Sequence, residues 1–200
     1  MTTTPPTFLP SYHDEDSVRR IQYRQIGKTD MVASALSFGA SSLGGVFRQT
    51  DDSESERLVQ AVVKAGINYI DTAPWYGQGR SEVVLGRALR EVPRQAYYLA
   101  TKVGRYELEV GGMFDFSRER VTRSVTESLE RLGLDYIDLI QVHDVEFCQS
   151  LEQIVNFTIP ALVKLKEEGK VRYIGLTGYS LDTMKVTLQN TDDESNITII

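Results

Sequence analysis

The 200-residue chain has one cysteine, Cys148, and only two histidines. A lone cysteine cannot close an internal disulfide, which fits a reducing compartment; as a residue it reads as a small buried hydrophobe. Two histidines with no spaced second ligand leave little for a metal site, even with "HD" at 143–144, so no metal is expected. Clusters of basic residues are missing too. The net charge is −6, which speaks against a nucleic-acid partner or an anionic membrane. No apolar run approaches the length of a membrane span. The amino terminus, "MTTTPPTFLPSYHDEDSVRR", has no apolar core for a signal peptide and reads as a loose polar arm over residues 1–20. The cytosol is then the expected compartment. No G-x-S-x-G elbow, Walker loop or G-x-G-x-x-G fingerprint occurs.

What is present is an ordinary globular composition, 41% hydrophobic and 25% charged. It is enough for one domain with a substantial core, assigned to residues 21–200. After residue 20 one pattern recurs: a short apolar run, a loop, then a stretch of helical periodicity. The runs are "ALSF" (35–38), "INYID" (67–71), "YYLATK" (97–102), "YIDLIQVH" (136–143), "VRYIGLT" (171–177) and "ITII" (197–200). Their unbroken apolarity suggests strands covered on both faces. Helix signals fall between them. "SESE" at Ser53–Glu56 and Ser150 with Gln153 read as capping boxes. Ser117 and Ser180 read as caps, with Gly66, Gly133 and Gly169 as stops. Pro160 should start or kink its helix. Ahead of the first run, "IQYRQIGKTDMVAS" reads as a hairpin turning at Gly27–Asp30.

Strand and helix alternate throughout, which predicts a parallel sheet. Two architectures compete. A doubly wound dinucleotide fold wants a glycine fingerprint after its first strand, and "GASSLGG" lacks that spacing. An eight-stranded β/α barrel needs none and builds its site from loops at the carboxyl ends of its strands. The pattern favours the barrel.

Those ends carry chemistry. The second strand ends at Asp71 with Tyr76 in the loop beyond, the third at Lys102 and the fourth at His143. In a parallel barrel all four converge on one rim. Taken singly, each has a structural explanation: a cap, a solvated lysine, a packed tyrosine, a satisfied histidine. Together they are complementary. A free tyrosine is a poor acid near neutrality, and an ammonium nearby stabilises a tyrosinate. A buried ammonium needs a counter-charge, which Asp71 can supply. His143 can hydrogen-bond a substrate oxygen. The set suits proton transfer between Tyr76 and a carbonyl or alcohol oxygen. A Schiff-base role for Lys102 fits less well, because an adjacent carboxylate would keep it protonated.

The segments "FGASSLGG", "YIDTAPWYGQGRSEVVLGRAL", "YLATKVGR", "SLERLGLDYIDLIQVHD" and "LVKLKEEGKVRYIGLTGYS" resemble those of the aldo-keto reductase family, over nearly everything from residue 21 onward. "FDFSRERVTRSVTESLERLGLDYIDLIQVHDVEF" is similar to the L-galactose dehydrogenase branch, which acts on C1 of aldoses. The resemblance implies a β/α barrel closed below by the hairpin, and an oxidoreductase using NAD or NADP. It implies a small aldose or carbonyl substrate, with Asp71, Tyr76, Lys102 and His143 as the catalytic tetrad. Gly39, Ala40, Asp71 and Thr177 are implied as cofactor contacts; Phe47, Trp75, Arg105 and His143 are read as facing substrate. Many members carry Ser-Asn after the fifth strand. Thr177 keeps a hydroxyl there, and Gly178 lacks the amide. Six strands are counted where the barrel needs eight, the last one reaching the end of the sequence. That makes a non-catalytic short relative the alternative reading.

Overall fold

Hairpin formation follows from the turn chemistry. In this computed structural model, which describes residues 4–191 and 197–199, β1 (Tyr23–Gln25) pairs antiparallel with β2 (Val32–Ser34), Arg24 opposite Ala33. Gly27 supplies a positive φ in the turn, and the Thr29 hydroxyl donates to the Ile26 carbonyl at 2.6 Å.

Six parallel strands follow in chain order: β3 (Phe38–Gly39), β4 (Tyr69–Asp71), β5 (Tyr98–Val103), β6 (Ile137–Val142), β7 (Val171–Leu176) and β8 (Ile197–Ile199). Each pairs with the next, and β3 does not pair with β8. This is the β/α barrel arrangement laid out over six strands and not closed among the described residues. β3 begins later than "ALSF" suggests. The Ala35 amide is still bonded to Gln22 of the hairpin, and Leu36 is 67% exposed. Only Phe38 and Gly39 reach the register of Ile70 and Asp71.

The helices are α1 (Glu15–Val18), α2 (Asp52–Lys64), α3 (Arg80–Leu89), α4 (Arg118–Leu132), α5 (Leu151–Gln153), α6 (Ile159–Glu167) and α7 (Leu181–Gln189). Ser117 and Ser180 cap α4 and α7, accepting from the amides of Arg120 and Thr183. α2 starts two residues earlier than its serines indicate. Asp51 is its N-cap, accepting from Glu54 N at 2.8 Å. A carboxylate there satisfies the amide and also complements the helix dipole. Pro160 is the second residue of α6, in the first turn where a helix tolerates proline, so the helix does start there. A five-residue π turn over Ile154–Thr158 joins α5 to α6. Proline has no N–H for the turn below it and its ring crowds the carbonyl four residues back, so the wider turn relieves both problems.

The outward-facing residues of the strands, Ile70, Leu99, Ile140 and Ile174 among them, pack against the helices in two apolar clusters. The inward-facing ones make a third: Tyr69, Tyr98, Ala100 and Leu139 bury Met31 and Ala33 of the hairpin. The hairpin thus floors the sheet at the amino ends of its strands. Residues Pro5 to Val18, read from composition as a loose arm, are packed here. Asp14 N donates to Lys64 O at 2.9 Å, and Val18 is fully buried. One side chain joins the arm, the hairpin and β4. Asn68 Nδ2 donates to Thr7 Oγ1 (2.8 Å) and Val32 O (2.9 Å), and its Oδ1 accepts from Ser34 N (2.7 Å). Cys148 is half-buried at the edge of the core. No described helix is long and apolar enough to cross a membrane.

Candidate active site

Strand alternation decides what stands above the floor. Side chains two apart on a strand share a face. Tyr69 in the floor therefore puts Asp71 on the same face. Tyr98 and Ala100 put Lys102 there, and Leu139 puts Gln141 and His143 there. The register completes the convergence, with Asp71 opposite Ala100 and Lys102 opposite Gln141. The four residues expected at one rim are brought together.

Lys102 is buried and forms an ion pair with Asp71 Oδ1. Its Nζ also donates to Thr72 O at 2.9 Å and lies 3.3 Å from the Tyr76 hydroxyl. Asp71 Oδ2 accepts from Gln141 Nε2 at 2.9 Å. The tyrosine and His143 rings meet edge-on with centroids 6.2 Å apart. His143 is 6% exposed. Burial, then the positive charges of Lys102 and Arg105, push its pKa down to about 3. Its imidazole is accordingly neutral near pH 7. It can donate or accept a hydrogen bond there, but it holds no spare proton.

Two close backbone approaches hold Tyr76 over this pair. A Cβ on Gly44 would lie 2.5 Å from the Tyr76 carbonyl oxygen, and one on Gly77 (φ +66°) would lie 2.1 Å from Gly44 O. Only glycine at both positions lets the loop after β3 press on the loop after β4. The first turn of α3 then fastens both loops. Ser81 N donates to Tyr76 O (3.1 Å) and Ser81 Oγ to Ala40 O (2.6 Å). The fully buried Glu82 accepts from Thr101 Oγ1 and Arg131 Nε, both at 2.7 Å, next in sequence to Lys102.

The remaining expected residues are placed less uniformly. Gly39 ends β3 with open space where a Cβ would project, whereas the Ala40 side chain is buried in the core. The Thr177 hydroxyl accepts from Asp144 N at 3.3 Å. Arg105 stacks 3.9 Å over Trp75 and bonds Asp144 Oδ2 through Nη1 at 2.8 Å. Phe47 does not join this group. It is 76% exposed and lines a cleft of about 730 Å³ with Arg48, Asp51 and Leu58, whose lining includes none of the four central residues. Gln141 and Glu82 are the residues that the sequence left unremarked, and Asp144 was weighed only as half of an "HD" metal pair. The signal for the first was a polar residue inside an apolar run, two positions before His143 and so on the same face of the strand.

A sequence model of the Aldo/keto reductase family matches residues 35–199. The chain is 49% identical over 171 residues to the L-galactose dehydrogenase of Arabidopsis thaliana, covering 84% of this chain and 52% of that one. It is 35% identical over 178 residues to a D-threo-aldose 1-dehydrogenase of a Pseudomonas species, covering 79% and 54%. Among solved structures, the aldo-keto reductase AKR11C1 from Bacillus halodurans (holo form) superposes with a TM-score of 0.74 at 37% identity, covering 86% of this chain and 55% of that one. The chain spans about half the length of the curated relatives it matches.

Proposed function

Because the chain belongs to the aldo/keto reductase family, we propose that it transfers a hydride between NAD or NADP and C1 of an aldose, with Tyr76 as the general acid/base. The observation that carries this is the position of Lys102 Nζ. It lies 3.3 Å from the Tyr76 hydroxyl while ion-paired to Asp71. A phenol that gives its proton to a carbonyl oxygen is left negative, and a fixed ammonium stabilises that charge without reorganising. Asp71, itself bonded by Gln141, holds the ammonium in place, and Thr72 O accepts a further hydrogen bond from it. Neutral His143 orients the reacting oxygen toward Tyr76.

The rim suits a nicotinamide nucleotide. Gly39 leaves open space beside it, and the Thr177 hydroxyl, which accepts from Asp144 N, keeps its own proton free to donate. Gly39, Asp71 and Thr177 are the residues that would hold it, through backbone, carboxylate and hydroxyl. Ala40 would contribute its backbone alone. When bound, the nucleotide supplies or takes the hydride. The aldose specificity rests on the likeness to L-galactose and D-threo-aldose dehydrogenases and on the polar rim of Arg105, Asp144 and His143. A small polyhydroxylated substrate follows.

The test is Tyr76→Phe, assayed against a panel of free aldoses, steroids and quinones. Cofactor binding should survive and hydride transfer in a single turnover should fall by roughly 10²–10⁴-fold. An unchanged single-turnover rate sinks the assignment of Tyr76. Preference for steroids or quinones over sugars sinks the substrate class.

A further inference from the structure

Asp144 takes no part in the proton transfer above, yet it is held on several sides. Its φ is +54°, a left-handed conformation that costs a non-glycine residue about 1 kcal/mol. Its amide donates to Thr177 Oγ1. Its Oδ2 accepts from Arg105 Nη1 at 2.8 Å and lies 3.8 Å from His143 Nε2. The guanidinium of Arg105 is in turn clamped over Trp75. Backbone strain and fixed rotamers of this kind persist where the surroundings over-determine them, often at ligand sites.

The group also contains unspent hydrogen-bonding capacity. Seven buried side-chain polar atoms have no partner among the described residues, and three of them cluster here: Trp75 Nε1, Arg105 Nε and His143 Nδ1. Burial raises the pKa of Asp144, and Arg105 opposes that rise. Buried polar groups in folded proteins are nearly always satisfied, so a concentration of unsatisfied ones asks for a polar ligand.

Resting on the function proposed above, we infer that Asp144, Arg105 and Trp75 form a hydroxyl-recognition subsite, in which the Asp144 carboxylate accepts a hydrogen bond from the sugar hydroxyl on the carbon next to the reacting one. The geometry sets which hydroxyl. A reacting oxygen within hydrogen-bond reach of His143, roughly 2.6–3.2 Å, has the neighbouring carboxylate within reach of the adjacent hydroxyl. Asp144 accepts from that hydroxyl, and the N–H groups of Arg105 and Trp75 donate to oxygens further along the chain. A carbonyl compound without hydroxyls would bury the carboxylate and these donors unpaired, and would be rejected for that reason.

The probe is built in, because Trp75 is the single tryptophan of the chain. Its fluorescence, titrated with galactose and with 2-deoxygalactose in the absence of cofactor, reads binding without turnover. The protein should prefer the hydroxylated sugar by roughly 10–10²-fold, the worth of a hydrogen bond to a charged acceptor, and the kcat/KM ratio should follow. Asp144→Asn should bring both ratios to within a few-fold of one, with the loss falling on the hydroxylated sugar. Asparagine tolerates a left-handed backbone, which favours folding of this variant. Arg105→Gln provides a second reading and should erase the same preference. Equal affinity for the two sugars in the unsubstituted protein overturns the subsite, as does a preference that survives both substitutions. Binding preference without cofactor turnover leaves the subsite standing and sinks the dehydrogenase reading instead.

Discussion

His143 should make the fold acid-sensitive by an amount that can be worked out. In an unfolded chain a histidine titrates near 6.5. In the folded protein burial, Lys102 and Arg105 hold His143 at about 3. The folded value is the lower one, so between the two the unfolded state binds a proton that the native state refuses. Stability is therefore complete above pH 6.5 and is lost as pH falls through that window. From pH 7 to pH 5 the loss from this one residue is about 2 kcal/mol. His143→Gln removes the titrating group while keeping polarity. Urea unfolding at pH 7 and pH 5 should show the unsubstituted protein losing about 2 kcal/mol more than the variant over that interval. His13 is common to both proteins and cancels. With two histidines in the chain, an NMR titration can assign His143 by its absence in the variant. A midpoint near 6.5 for that signal, or equal acid losses in the two proteins, would refute the reasoning. It would mean that His143 is solvated and free to carry a proton, and the neutral, orienting role given to it beside Tyr76 would fall.

Two further outcomes are expected. Lys102→Met should abolish turnover by at least about 10²-fold. It should also destabilise by roughly 2–3 kcal/mol, less than a fully buried pair, because the Asp71 side chain keeps 26% exposure; thermal unfolding that matches the unsubstituted protein would contradict the pairing. Gly77→Ala must push the two loops apart, since its Cβ would fall 2.1 Å from Gly44 O. Displacement of Tyr76 by about 1 Å should cost on the order of 10²-fold in kcat with cofactor affinity kept, and a kcat within a few-fold of normal would show that the glycine contact does not position the tyrosine.

Most of the strand order was legible because each strand is a β-branched or aromatic run bounded by a serine cap or a glycine stop. The four central residues were legible because each stands at or just past a strand end, where alternation leaves only one rim to share. What escaped notice shares a different cause. Gln141 and Glu82 act through partners 19 to 70 residues away, and Asp144, noticed only beside His143, pairs with Arg105 39 residues away. No local pattern distinguishes a buried glutamate facing Arg131 from one facing water. Asp51 displaced Ser53 as a cap although both residue types are good caps, because its carboxylate reaches Glu54 N. The arm over residues 1–20 looked unstructured by composition. Its anchoring comes from a few tertiary bonds, above all that of Thr7 with Asn68.

Asn68 is where those distant pieces meet, and its bonds have a kinetic meaning. They span 34 to 61 residues of sequence. Such contacts carry a loop-closure cost and form only after the segments they join have been brought together. Asn68 precedes β4, and a slip of that strand by one residue would turn its amide to the opposite face. The hairpin amide of Ser34 and the hydroxyl of Thr7 would then have nothing to bond. The floor and the arm are thus fastened to the same strand whose alternation delivers Asp71 to the inner face. A one-residue slip of β4 would therefore cost contacts at both ends of the strand together, the Asn68 bonds at one end and the Asp71–Lys102 ion pair at the other.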